Sequence, residues 1–240
     1  MKYKRIGIIG AMEEEVEILR SHLKNAAPEA GCLIGQLCGK DAALLKCGVG
    51  KVNAAVGTAL LIDHFKPDFV INTGCAGGVN NAGDAVRLCF GDVVLSERIV
   101  YHDVDVTGFN YPLGQIPGQE LFFTTPPEIL KEAEDAIAAL KKDGILPSNM
   151  NSVRGLIGSG DVFMCETQRI KTAAALFPGL RAVEMESAAI AHVCALFKTP
   201  CLVIRAISDI AGEESPVDFD AYLPIAAKHS SEIVLSLLER

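Results

Sequence analysis

The sequence predicts an α/β protein in which helices cover a mostly parallel sheet, and three observations point there. Half of the 240 residues are hydrophobic and the mean hydropathy is +0.29, enough apolar material for a substantial core. Short β-branched runs alternate with longer stretches of helical periodicity along the whole chain. The run 68–73 (Asp68-Phe69-Val70-Ile71-Asn72-Thr73) is compatible with a strand buried on both faces. Residues 1–240 are expected to form one domain, because no Pro- or Ser-rich linker interrupts them.

The elements follow in order. Residues 5–10 read as a buried strand and 11–23 as a helix that begins with acids and continues with apolar residues at helical spacing. Segments 31–37 and 42–47 alternate, as short strands do. A helix over 51–65 is stopped by Pro67, and the strand 68–73 is expected to end at the glycine-rich Gly74-Cys75-Ala76-Gly77-Gly78. Residues 91–105 read as a strand, 108–127 as a loop rich in Gly and Pro, and 127–142 as a helix. The last third repeats the alternation, with strands over 152–158, 182–184 and 201–208 and helices over 168–177, 187–197 and 220–238. In such sheets ligands gather beyond the carboxyl ends of strands, so the polar or glycine-rich endings near residues 10–13, 74–78, 159–161, 184–186 and 208–209 are expected to share one cleft.

Composition excludes several functions. Net charge is −8 and no Lys/Arg-rich run exists, so nucleic acid and anionic membranes lack an electrostatic footprint. The N-terminal apolar run is short and ends in Glu13-Glu14-Glu15, unlike a signal peptide, and no stretch reaches the length of a membrane span. Eight scattered cysteines without a C-x-x-C pair fit reduced thiols in a cytoplasm, and five histidines lack metal-ligand spacing, so no metal is expected.

Gly7-Ile8-Ile9-Gly10 and Gly48-Val49-Gly50-Lys51 complete no dinucleotide or triphosphate loop, which removes the usual backbone cradle of a dehydrogenase or kinase and leaves tight turns as the reading. Glu13, Glu14 and Glu15 suit the positive end of a helix dipole, but adjacent helical positions diverge by about 100°, so one of them can turn into a cleft. Glu184-Met185-Glu186, ahead of an apolar helix, reads as strand-end solvation plus a carboxylate near a helix N-terminus, or as one of the strand endings that line the cleft. Arg205-Ala206-Ile207-Ser208-Asp209 releases a hydroxyl and an acid together at a strand end, as a positioned acid or as a helix cap.

Six segments, 7–16, 72–78, 101–107 (Tyr101-His102-Asp103 through Thr107), 158–161, 183–186 and 203–209, together resemble the bacterial 5′-methylthioadenosine/S-adenosylhomocysteine nucleosidases. These are the hydrolase branch of the purine-nucleoside phosphorylase superfamily, and the resemblance runs from about residue 4 to the C-terminal helix. It implies a three-layer αβα sandwich with a mixed, mostly parallel central sheet, a homodimer, no cofactor, and hydrolytic release of adenine from 5′-methylthioadenosine, S-adenosylhomocysteine and 5′-deoxyadenosine. By the same resemblance Asp209, beside Ser208, matches the general acid to adenine N7, Glu15 the base that activates water, and Glu186 the residue that binds the ribose hydroxyls. Met185 would lie against the ribose and Arg205 near the attacking water. Main-chain groups of Phe163 and Met164 would read the adenine edge, with Gly77 allowing close approach. Met12, Val49 and Phe219 would hold the alkylthio group, completed by Phe109 and Pro117 of the other subunit. Cys75 departs from the serine usual in the family, and a thiol is the weaker donor.

Two rivals remain at this stage. A phosphorylase on the same fold needs a cationic phosphate pocket, whereas the first turn here offers acids. A nucleoside-binding protein without catalysis would share the fold. The preference among the three nucleosides and the aminodeoxyfutalosine used by some relatives lies in loop shape around 109–117.

Overall fold

Among the described residues, ten strands make one mixed sheet, and five of them close on one another. The computed structural model describes residues 2–212 and 215–240, with side chains described outside 215–218. In chain order the elements are β1 (Arg5–Gly10), α1 (Glu13–His22), β2 (Lys24–Glu29), β3 (Cys32–Leu37), β4 (Lys40–Lys46), α2 (Lys51–Phe65), β5 (Phe69–Gly78) and β6 (Val93–Tyr101). There follow β7 (Phe123–Thr124), α3 (Pro127–Lys142), β8 (Ser152–Ser159), α4 (Thr167–Leu176), β9 (Leu180–Glu184), α5 (Ser187–Leu196), β10 (Cys201–Ile210) and α6 (Ser215–Leu238).

The longer ladders are parallel: β5 with β10, β6 with β8, and β1 with β4. Strand β5 also pairs antiparallel with the end of β9, so β5, β10, β6, β8 and β9 form a closed circuit from which β1, β4, β3 and β2 extend. That closure draws the carboxyl ends of β5, β8, β9 and β10 toward a common mouth. Apolar faces of α1, α3 and α6 cover one side of the sheet around Ile8, Ile71 and Ile204, and those of α2 and α5 cover the other around Ile9, Val70 and Val203. Adjacent residues of one strand thus serve opposite cores, the two-sided burial read from 68–73. Among the described residues, no helix is long and apolar enough to cross a membrane.

Four local departures from the sequence reading have physical causes. The glycine-rich segment does not end β5 but is its second half, because Gly74 to Gly78 keep their ladder with β10. Strand β2, unforeseen, is exposed at every position and holds Pro28; as an edge strand it shows no alternation to read. The two-residue β7 lies inside the expected loop. Strand β10 runs past 208 because a register shift between Ile207 and Asp209 lets it bulge and resume, setting Asp209 opposite Gly77.

Candidate active site

At the mouth of the closed circuit lies a cavity of about 430 Å³, walled by the first turn of α1, the second half of β5, residues 162–164, the end of β9 and the end of β10. Its volume falls within the range of small-molecule pockets, roughly 300–1,000 Å³. Five carboxylic residues contribute to its wall, Glu15, Glu184, Glu186, Asp209 and Asp220, and among the described residues no Lys, Arg or His does.

The three adjacent acids of α1 separate as helical geometry requires. Glu13 turns outward, where hydrogen bonds from Arg20 and Lys46 hold its carboxyl down at about 2. Glu14 is exposed and Glu15 is buried. Glu15 Oε2 accepts from the amides of Ala11 (2.7 Å) and Met12 (3.0 Å), the second being the capping-box contact of α1. Its Oε1 accepts from the Cys75 amide at 3.0 Å and faces the Cys75 thiol at 3.3 Å. Four donors fix the carboxylate in one orientation. Gly74 makes the approach possible, since a Cβ there would stand 2.3 Å from Glu15 Oε1 and 2.7 Å from Arg205 Nη1.

Arg205 does not form the cavity wall; it lies behind it, 1 % exposed. Its Nη2 donates to Asn72 Oδ1 (2.8 Å), Ser187 Oγ (3.0 Å) and Glu184 Oε2 (2.5 Å). Burial opposes its charge, but Glu184, Glu15 and Glu186 more than offset that and keep the guanidinium firmly protonated. Burial would raise Glu184 as well, yet Arg205 together with the Ser159 and Ser187 hydroxyls brings it below its ordinary value. Glu184 also accepts from the amides of Glu186 (3.1 Å) and Ser187 (2.8 Å), which pins the chain where β9 turns into α5.

Glu186 is left in the opposite state. Burial and the neighbouring Glu184 charge raise its carboxyl to about 7, only partly countered by Arg205 and by the Gly50 amide, which donates to Oε1 at 2.8 Å. Across the cavity Asp209, 2 % exposed, accepts from Ser208 Oγ at 2.9 Å through Oδ1. A Cβ at Gly77 would lie 3.1 Å from its Oδ2. Glu15 abuts Cys75 and Asp209 abuts Gly77; these strand positions share a face and are roughly 7 Å apart along β5.

This set of carboxylates around an apolar-walled cavity coincides with a match to the Phosphorylase superfamily over residues 5–239. A 5′-methylthioadenosine/S-adenosylhomocysteine nucleosidase of Geobacillus kaustophilus (strain HTA426) is 52% identical over 238 residues, covering 98% of this chain and 96% of that one. The chain belongs to this nucleosidase family. Solved nucleosidases superpose on it closely. The Neisseria meningitidis enzyme in complex with methylthio-immucillin-A has a TM-score of 0.90 at 38% identity, over 98% of this chain and 99% of that one. The Colwellia psychrerythraea 34H enzyme in complex with adenine has a TM-score of 0.89 at 45% identity, over 99% and 95%.

Of the residues singled out in the sequence, this nucleosidase-family cavity gathers Met12, Glu15, Val49, Gly77, Phe163, Met164, Met185, Glu186, Ser208, Asp209 and Phe219. Phe163 and Phe219 meet edge to face with ring centres 6.0 Å apart. Phe109, 79 % exposed in a single 3₁₀ turn (Thr107–Phe109), and the exposed Pro117 are not part of this chain's own cavity. Sequence reasoning did not assign Asn72, Glu184 and Ser187, which accept from Arg205, or Ser159, which donates to Glu184. The strand-end Glu184 was visible as a candidate, but no spacing rule links Asn72 to residues 115 and 133 positions away.

Proposed function

We propose that the protein hydrolyses the N-glycosidic bond of 5′-methylthioadenosine and S-adenosylhomocysteine, and of 5′-deoxyadenosine, releasing adenine. The observation that carries this reading is the all-acidic charge of the cavity wall. A phosphate nucleophile would meet carboxylates with no cation among the described wall residues to offset them, whereas water is activated by such a group.

Adenine sits against residues 163–164, whose main-chain groups read its edge, and the ribose rests on Met185. Glu186 accepts from the ribose hydroxyls, an interaction that strengthens as positive charge grows at C1′. Water bound at Glu15 attacks C1′ and passes its proton to that carboxylate. The electrons of the C1′–N9 bond move into the purine, and Asp209 supplies the proton that N7 takes up. The roughly 7 Å offset between the strand positions carrying Glu15 and Asp209 suits an acid and a base with sugar and water between them. Arg205, held by Asn72, Glu184 and Ser187, acts from behind the wall by keeping the nearby carboxylates ionised. Met12, Val49 and Phe219 receive the alkylthio group.

The same reading makes the chain one half of a homodimer. Val52, Val56 and Leu60 are exposed and, spaced by four, line one face of α2, which begins beside the cavity residue Val49. A second copy seated on that stripe would bring its Phe109 and Pro117 to the alkylthio end. Sedimentation of the protein, with Val56→Lys as the variant that breaks the stripe, tests the dimer; a monomeric parent protein would refute it.

The activity itself is tested by incubating the protein with 5′-methylthioadenosine, S-adenosylhomocysteine, 5′-deoxyadenosine and aminodeoxyfutalosine and measuring adenine. Release from the first three supports the assignment, and release from none of them overturns it.

A further inference from the structure

Lys51, Asp103 and Asp161, from the segments Gly48-Val49-Gly50-Lys51, Tyr101-His102-Asp103 and Gly158-Ser159-Gly160-Asp161, take no part in the chemistry above. They meet at one point. Helix α2 begins at Lys51; Gly50 at its N-cap has no side chain with which to cap it, and Asp161 from the segment after β8 takes over that task, accepting from the Lys51 amide at 2.8 Å. The Lys51 ammonium lies 2.5 Å from Asp103 Oδ2 and 3.8 Å from Asp161 Oδ2. The Asp161 amide donates to the same Asp103 oxygen at 3.0 Å, closing the triangle. Gly50 must be glycine for this, with φ +95° and only 3.2 Å between its would-be Cβ and Asp161 Oδ1.

The residue immediately before Lys51 donates its amide to Glu186 Oε1 at 2.8 Å. We infer that Asp161, Lys51 and Asp103 are positioning residues for the sugar-binding carboxylate: the triangle they form fixes the Gly50 amide on Glu186 and so sets how that group meets the ribose. This rests on the assignment of Glu186 to the ribose. The triangle is built from the segments after β4, β6 and β8, so the purine-edge stretch 162–164 and the start of α2 are held at one fixed separation.

The consequence is electrostatic as well as steric. Glu186 faces Glu15 from α1, Cys47 and the Gly50 amide from the β4–α2 segment, Glu184 from β9 and Arg205 from β10. The Gly50 amide is a neutral donor that favours the ionised carboxylate. Losing it shifts ionisation of Glu186 to higher pH, while a general loosening of the fold lowers the rate without moving that ionisation.

The test is the pH profile of kcat/KM for 5′-methylthioadenosine in the full-length protein and in Asp161→Ala, Asp161→Asn and Lys51→Met. In Asp161→Ala the acid limb should move up by roughly half to one pH unit and KM should rise about tenfold. Asp161→Asn keeps an acceptor for the Lys51 amide and should restore most of the parent profile. Lys51→Met should move the limb in the same direction by less, and it decides the matter if Asp161→Ala does not fold. An unmoved limb in the variants that fold, or Asp161→Asn behaving as Asp161→Ala, overturns the inference. Absence of adenine release from the parent protein would instead refute the assignment of the activity.

Discussion

Cys75 meets Glu15 twice on one oxygen, through its amide at 3.0 Å and its thiol at 3.3 Å. The amide is the stronger contact and does not depend on the side chain, so the carboxylate keeps its place whatever group stands at 75. Cys75→Ser is therefore expected to change kcat/KM by less than about tenfold, measured as adenine release. The thiol itself should be inert, since burial pushes it well above its ordinary value and the Glu15 charge adds to that. Mass spectrometry after iodoacetamide treatment at pH 8 should find label on the exposed Cys89 and Cys165 and none on Cys75.

In its proposed role at the ribose, Glu186 trades stability for function. Its carboxyl ionises at about 7 in the fold against an ordinary value of 4.5, so its contribution to stability is full below about 4.5 and is lost as pH rises through 7. Glu186→Gln removes that loss and keeps an oxygen for the Gly50 amide. Thermal unfolding should show a Tm higher by about 3–6 °C at pH 8 and little change at pH 4.5. The same variant should lose about 100-fold or more in kcat/KM, because a neutral amide does not answer the charge forming at C1′.

Asp209→Asn keeps the shape of the site and removes the proton that the proposed mechanism delivers to N7. Turnover should fall by about 10³-fold, while calorimetry still detects binding of an adenine nucleoside. Undiminished turnover would take Asp209 out of the acid role.

Much of this site is legible in the sequence because its parts lie where chain geometry announces them. Glu15 stands at a strand-to-helix turn, Glu186 at a strand end and Asp209 beside a hydroxyl at another. The divergence of adjacent helical positions already required that Glu13, Glu14 and Glu15 part company, and the structure shows which one turns inward. What stays hidden depends on closure. The circuit of β5, β10, β6, β8 and β9 brings Asn72, Glu184, Ser187 and Arg205 into contact across more than a hundred residues, which no local period records. The glycines of β5 looked like an ending because glycine usually breaks strands; here two carboxylates and a guanidinium crowd Gly74 and Gly77 and leave no room for a side chain.

On the proposed function the acidic cavity admits water and refuses phosphate. The most direct measurement is identification of the sugar product from 5′-methylthioadenosine cleaved in H₂¹⁸O containing inorganic phosphate. Free 5-methylthioribose bearing the label at C1 is the expected product; 5-methylthioribose 1-phosphate would contradict it.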